Sequence, residues 1–333
     1  MNRIIYIIIV LSGCFSGFSQ DIHFSQFDYN PVFQNPGNVG QFNGTYRFHF
    51  NHRDQWRRVT VPFQTTSLSV DAKPFQNKKI ALGLSLFHDV VGDGNLRTVE
   101  FMPSISYQFK IKQDTTHTLR PAVQFGINNR SLSFENYYFD AQFNGTAFDP
   151  TLPNNEILVN AQKTNVSIGI GGVYEWYKSK RKKITGGVGL FNLNRPNQGF
   201  FGTTVNRDIR MNVFVRAHYK IGIDLDIIPS FQFNAQGKYK ELNFGAQLRY
   251  ILKDKNGEYS ALYGGLFFRN KDAAYVLAGL EWQNWWGGVS YDINVSELVP
   301  ASNGRGGLEV SLRYILTPFK PRKIIHRVCP DYI

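Results

Sequence analysis

Two clusters in this 333-residue chain carry the residue types that chemistry needs. His88 and Asp89, with Asp93 close behind in what reads as a loop over 88–97, could form a hydrolytic pair in which a carboxylate orients a histidine that activates water. Any third catalytic group would have to come from a distant loop, and polar loop residues account for the same letters. His49, His52 and Asp54 could in principle approach one metal ion. Strand alternation, however, sends His49 and His52 to opposite faces, and no second cluster completes a ligand set. Neither a phosphate-cradling GxxxxGK[ST] loop nor a GxSxG elbow is present. No catalytic, metal or cofactor site is expected, and the chain reads as a non-enzyme.

Binding chemistry is better represented. The segment 178–183, KSKRKK, is the one real cationic cluster in a chain of formal charge +12. The remaining Lys and Arg are scattered, which argues against nucleic acid as a partner. Lys180, Arg181, Lys182 and Lys183 fit a charged hairpin turn that either docks an acidic protein or protects a sheet rim. A second candidate is the long segment 131–163, where Phe134, Tyr137, Tyr138, Phe139, Phe143 and Phe148 sit among Asn and Asp. A connection of that length usually works or is disordered. Its aromatics suit an exposed docking surface, an inward-folded constriction, or mere packing on one another.

The N-terminus reads as an export leader over 1–19: Arg3, an apolar run over 4–11, then small residues to Ser19. Leu11-Ser12-Gly13-Cys14 also resembles a lipoprotein cleavage box, with Cys14 as the lipidated residue. Cleavage near Gln20 leaves Cys329 as the single thiol, which excludes an internal disulfide framework and a cysteine-based zinc site. No later stretch of 18 apolar residues could form a transmembrane helix. An exported chain can still span a membrane with strands that close on themselves.

The rest of the chain has that pattern. Residues 20–42 form an irregular arm with Pro31, Pro36 and several Asn. Strict alternation then begins with Tyr46, Phe48 and Phe50 on one face and Arg47, His49 and Asn51 on the other. It recurs about 14 times, mostly in runs of 9–13 residues, the length a tilted strand needs to cross an outer membrane. The expected fold is all-β, an antiparallel up-and-down transmembrane barrel over 43–319, followed by a basic tail, 320–333. Short connections (73–78, 111–117, 177–183, 252–258) alternate with others that include the long ones, which places 131–163 outside the cell and KSKRKK at the periplasmic rim. Trp176, Tyr177, Tyr250, Trp282, Trp285, Trp286 and Phe319 suit an interfacial aromatic girdle. In the last strand Glu309, Ser311 and Arg313 should face the lumen while Leu308, Val310, Leu312 and Tyr314 face lipid.

Several stretches taken in order, DIHFSQFDYNPVFQNPGNVG, GTYRFHFNHRDQW with the Asp71 strand, FNLNRPNQGF, IIPSFQFNAQ, SYDINVSEL and the Cys329-Pro330 tail, resemble the PorP/SprF family of type IX secretion outer-membrane proteins. The resemblance implies a barrel that works with large secreted surface proteins: it helps export an adhesin and hold it at the cell surface, sometimes in gliding motility, in contact with periplasmic or outer-membrane secretion components. The arm, with Phe24, Gln26, Asn35 and Pro36, would then sit in the periplasm or plug the lumen. A passive channel or small-solute transporter on the same fold is the alternative.

Overall fold

The computed structural model describes residues 21–317, apart from positions 56, 58–60, 76–78, 93, 112–115, 134–136, 156–161, 201, 203, 256, 297, 298 and 300–303. The leader, Cys14, Asp93, Phe134, Phe319, Cys329 and the tail 320–333 lie outside the described residues. The strands are β1 (Tyr46–Gln55), β2 (Phe63–Ala72), β3 (Ile80–Val91), β4 (Leu96–Tyr107), β5 (Phe109–Lys110), β6 (His117–Ser131), β7 (Gln162–Ser179), β8 (Lys182–Phe191), β9 (Arg210–Lys220), β10 (Leu225–Gln236), β11 (Tyr239–Lys255), β12 (Glu258–Arg269), β13 (Ala273–Trp282), β14 (Trp285–Asn294) and β15 (Arg305–Leu316). β5 continues β4 past Gln108, and both pair with β6, so the segments make fourteen staves of one antiparallel sheet. The sheet closes where β1 meets β15, with Phe48 opposite Tyr314, Phe50 opposite Leu312 and Arg53 opposite Glu309. The expected fourteen-stranded up-and-down barrel is what forms.

Alternation drives this closure. Along β3, Leu82, Leu84 and Leu86 are exposed on the outer wall, whereas Ala81, Ser85, Phe87 and Asp89 are buried inside. Along β15, Leu308, Val310 and Leu312 face out while Glu309 and Ser311 are buried in the lumen. An outer wall of Leu, Val, Ile and Phe is stable only against hydrocarbon, and a closed ladder leaves no strand edge for lipid to meet.

β1 begins and β15 ends at the same end of the barrel, where the turns 180–181, 256–257 and 283–284 are short; the long connections 132–161 and 192–209 lie at the other. By the loop rule for outer-membrane barrels, the short-turn end is periplasmic. Tyr250, Trp282 and Trp285 are exposed near that end, as a girdle requires.

Two sequence expectations fail for one reason: a period of two separates neighbours. Trp286 is fully buried in the lumen and stays out of the girdle, because its neighbour Trp285 already takes the outward position. His88 and Asp89 do not belong to a loop. β3 runs to Val91, which leaves only 92–95 as the connection, and places His88 on the outer face and Asp89 on the inner one, bonded to Thr65 at 2.6 Å. They cannot act on one substrate.

Candidate functional site: the arm inside the barrel

The space enclosed by the strands is occupied by the chain's own N-terminal arm. Residues 24–40 are buried throughout. Three short helical turns, Phe27–Tyr29, Pro31–Gln34 and Pro36–Asn38, let this segment fold compactly, with Pro31 and Pro36 each opening a turn at the position where a missing N–H costs nothing. The arm starts at the long-loop end, where Asp21 meets Arg207, and leaves at the short-turn end, where Gln41 reaches Glu175. Four clusters of buried apolar side chains form the interior, and each contains arm residues: Tyr29, then Phe24 with Phe33, then Phe27, then Val32 with Val39. The hydrophobic core of this protein is the contact between arm and wall.

Three kinds of contact seat the arm. The first is aromatic. Tyr29 stacks on Trp286 with ring centroids 3.4 Å apart and planes 8° from parallel, while its hydroxyl donates to Gln247 at 2.7 Å. The WWGG spacing makes room for that indole, since a Cβ at Gly288 would stand 2.4 Å from it. The second is steric. The Asn35 side chain accepts from the N–H of Gly37 at 2.8 Å, and this Asn-Pro-Gly turn lies against β7 so closely that a Cβ at Gly171 would stand 2.3 Å from Asn35 Oδ1.

The third is electrostatic, and it is concentrated at two places. Asp71 accepts two parallel bonds from Arg47 at 2.8 Å each, together with the N–H of Gly40 at 2.6 Å. Fork geometry of this kind gives strong, directional pairing. Toward the long-loop end, the Glu309 carboxylate accepts the backbone N–H groups of Ser25 (2.7 Å) and Gln26 (3.0 Å), and the Gln26 side chain donates to the Glu309 carbonyl at 2.8 Å. The Ser25 hydroxyl donates to Asp292 at 2.7 Å and accepts from Arg269 at 2.6 Å and from Arg53. Arg53 bridges Asp292 (2.8 Å) and Glu309 (3.0 Å), and Arg269 lies 3.3 Å from Asp292. Two guanidinium and two carboxylate groups thus meet around one arm serine, out of water, with their hydrogen bonds supplied by arm and wall together. Gln26 was visible in sequence as part of the arm. The charged cluster around Ser25 and Gln26 was not, because its members come from β1, β12, β14 and β15; the only signal was that acidic and basic residues stand at inward positions of those strands.

At the long-loop end the arm forms the floor of a vestibule of about 720 Å³, bordered by Asp21, His23, Arg130, Arg207, Glu241 and Arg269. Asp21 lies 2.8 Å from Arg207 and 3.4 Å from Arg210. Burial alone would raise its carboxyl pKa, but the two arginines override it and hold the group down to about 2. A value depressed below the ordinary 3.8 means stability that is full above about pH 4 and is lost as pH falls through about 2. Cleavage by pepsin within residues 21–27 is therefore expected to stay low at pH 4 and to rise toward pH 2. In Asp21→Asn that rise should be absent and cleavage already high at pH 4.

The outer-loop candidates are brought together. Tyr138 and Phe148 meet edge-on at 4.6 Å, Tyr137 and Phe139 lie 6.4 Å apart, and Phe143 bridges to Phe148 through the backbone. Tyr138 is nonetheless 79% exposed and Phe143 57%. The basic cluster is instead divided. Arg181 turns back to Asp226 at 2.7 Å and to the carbonyls of the 221–224 turn. Lys183 shares the inward-facing register of Thr185, Lys182 lies over the Tyr219 ring, and Lys178 and Lys180 are exposed.

A closed barrel with an apolar outer wall, a charged lumen and an internal arm defines an outer-membrane β-barrel protein. Within that class the chain belongs to the PorP/SprF family, described as type IX secretion system membrane protein PorP/SprF, which matches residues 16–314. It is thereby an outer-membrane component of that secretion system. Among solved structures, the toluene transporter TbuX of Ralstonia pickettii is similar at TM-score 0.50 and 8% identity, over 86% of this chain and 94% of that one. A FadL homologue of Pseudomonas aeruginosa is similar at TM-score 0.46 and 10% identity, over 86% and 94%. At such identities the likeness is one of fold alone. No curated protein matches the chain.

Proposed function

We propose that this barrel supports the secretion and surface attachment of a large adhesin-type protein, in a setting that includes gliding motility, and that it acts by protein contact. The observation that carries this reading is the arm: a lumen packed with the chain's own residues is poorly suited to passing solute, which leaves the rims and loops as the working surfaces. At the outer rim the paired aromatics Tyr137, Tyr138, Phe139, Phe143 and Phe148 offer rigid, partly apolar contact area of the kind that dominates binding energy at interfaces. Contact with other secretion components completes the role.

The test is recovery of secreted surface protein with the barrel from solubilised outer membranes. The Tyr138→Ala, Phe143→Ala double variant should lower that recovery about tenfold or more, as loss of two aromatic anchors does at other interfaces. The passive-channel reading has the vestibule in its favour. Robust pore conductance by the intact chain, with no surface protein or secretion component recovered, would establish that reading and end this one.

A further inference from the structure

The lipid-facing wall caves in where β7 and β8 pair. A concavity of about 1020 Å³ opens on the outer side of β6, β7 and β8, lined by Leu119, Pro121, Ile170, Gly172, Gly186 and Val188. It is apolar, and it exists because glycines replace side chains on adjoining strands: Gly172 pairs with Val188, and Gly186 with Tyr174. A Cβ at Gly172 would meet no atom within 4 Å, so the groove is open at that point.

The same outward column continues toward the periplasmic rim with a change of chemistry. Tyr174 and Ile184 come first, both exposed on the outer wall. Lys182 follows, its ammonium 5.7 Å from the Tyr219 ring centroid, with Lys178 exposed near the end of β7 and Lys180 in the adjoining turn. Arg181 is committed to Asp226, and Glu175 on the same hairpin points inward to Gln41. From membrane interior to rim the order is therefore apolar groove, aromatic collar, cations. That is the order of acyl chain, glycerol and phosphate in a phospholipid.

We infer that this face holds one phospholipid of the periplasmic leaflet with an anionic headgroup, an acyl chain lying in the glycine groove and the phosphate beside Lys182 and Lys178. Basic side chains at a membrane surface attract anionic lipid by about fivefold each, and the groove adds shape to that charge. A lipid so placed would fill the thin wall directly behind the arm's Asn-Pro-Gly turn, since Gly171 and Gly172 are neighbours on β7.

The experiment is native mass spectrometry of the full chain, delipidated in detergent and titrated with phosphatidylglycerol or, separately, phosphatidylcholine. The intact chain should retain one phosphatidylglycerol at least fivefold better than phosphatidylcholine. Lys178→Glu with Lys182→Glu should abolish that preference. Gly172→Leu, which fills the groove without a clash at its Cβ, should weaken both lipids. Heat-modifiable migration on gels reports that each variant is folded; if Gly172→Leu fails that check, Leu119→Trp obstructs the same groove. Equal retention of the two lipids by the intact chain, an unchanged preference in the double lysine variant, or displacement of the lipid by an acidic periplasmic protein crosslinked to Lys182 would overturn the inference.

Discussion

A chain lacking residues 22–41 is expected to insert as a folded barrel and to conduct ions steadily across a planar bilayer, whereas the intact chain should stay near the closed baseline. Folding should survive because the arm contributes nothing to the strand ladder: closure rests on β1 with β15, which begins at Tyr46. Conduction should appear because the wall left behind is polar. Arg47, Asn51, Arg53, Ser67, Asp71, Asp292 and Glu309 are all buried now and would face water once the arm is gone. The arm's apolar side chains share its seating, so truncating any one of them should not release it. Phe24, Phe27, Tyr29, Val32, Phe33 and Val39 are each at least nine-tenths buried, and burial of a side chain of this size is worth about 1.5–3 kcal/mol. Single alanine substitutions at these positions should therefore lower the melting temperature but leave the pore shut. Conductance of the deletion variant no higher than that of the intact chain would show that the arm does not close the lumen.

Strands were legible in the sequence and the interior was not, for a physical reason. A transmembrane strand announces itself through a period of two, because lipid selects every second residue, and β1 and β15 could be read with their alternate faces correctly separated. The arm has no period. Its mixture of Phe24, Phe27 and Phe33 with Ser25, Gln26, Asn30 and Asn35 says only that it must meet a surface both apolar and polar. That surface is assembled from strands up to 284 residues away in sequence, as in the contact between Ser25 and Glu309. Trp286 and Asp89 were misplaced at the same level: each was assigned with its neighbour as a unit, although alternation divides such pairs between lipid and lumen. The glycines of β7 and β8 looked like ordinary strand glycines. Their roles depend on tertiary contacts: Asn35 lies against Gly171, and the outer face of Gly172 is open.

Arg53→Met is expected to be the most destabilising single change in the wall. Arg53 is 1% exposed and, among the described residues, is the cation that pairs with both Asp292 and Glu309, whereas Arg269 pairs with Asp292. Removing one partner from such a buried network leaves an uncompensated charge and costs about 3–5 kcal/mol. Arg57→Ala is the control, because Arg57 pairs with Asp54 at the exposed outer rim, where ion pairs contribute little, and its melting temperature should hardly move. A second comparison separates charge from packing. If the loss in Arg53→Met comes from the stranded carboxylate, adding Glu309→Gln, which removes the charge and keeps an acceptor oxygen for the arm N–H groups, should restore part of it. If the loss comes from the packing of the missing guanidinium, the double variant should be no more stable than the single one. Arg53 and Glu309 stand directly opposite each other on β1 and β15, and Glu309 also accepts the two arm N–H groups. Closing the barrel and seating the arm are thus one event at this cluster. Arg53→Met should loosen both together, lowering the thermal midpoint and exposing the arm to protease in the same variant, whereas a change confined to the arm seat, such as Gly171→Leu, should expose the arm while leaving the β1–β15 seam intact.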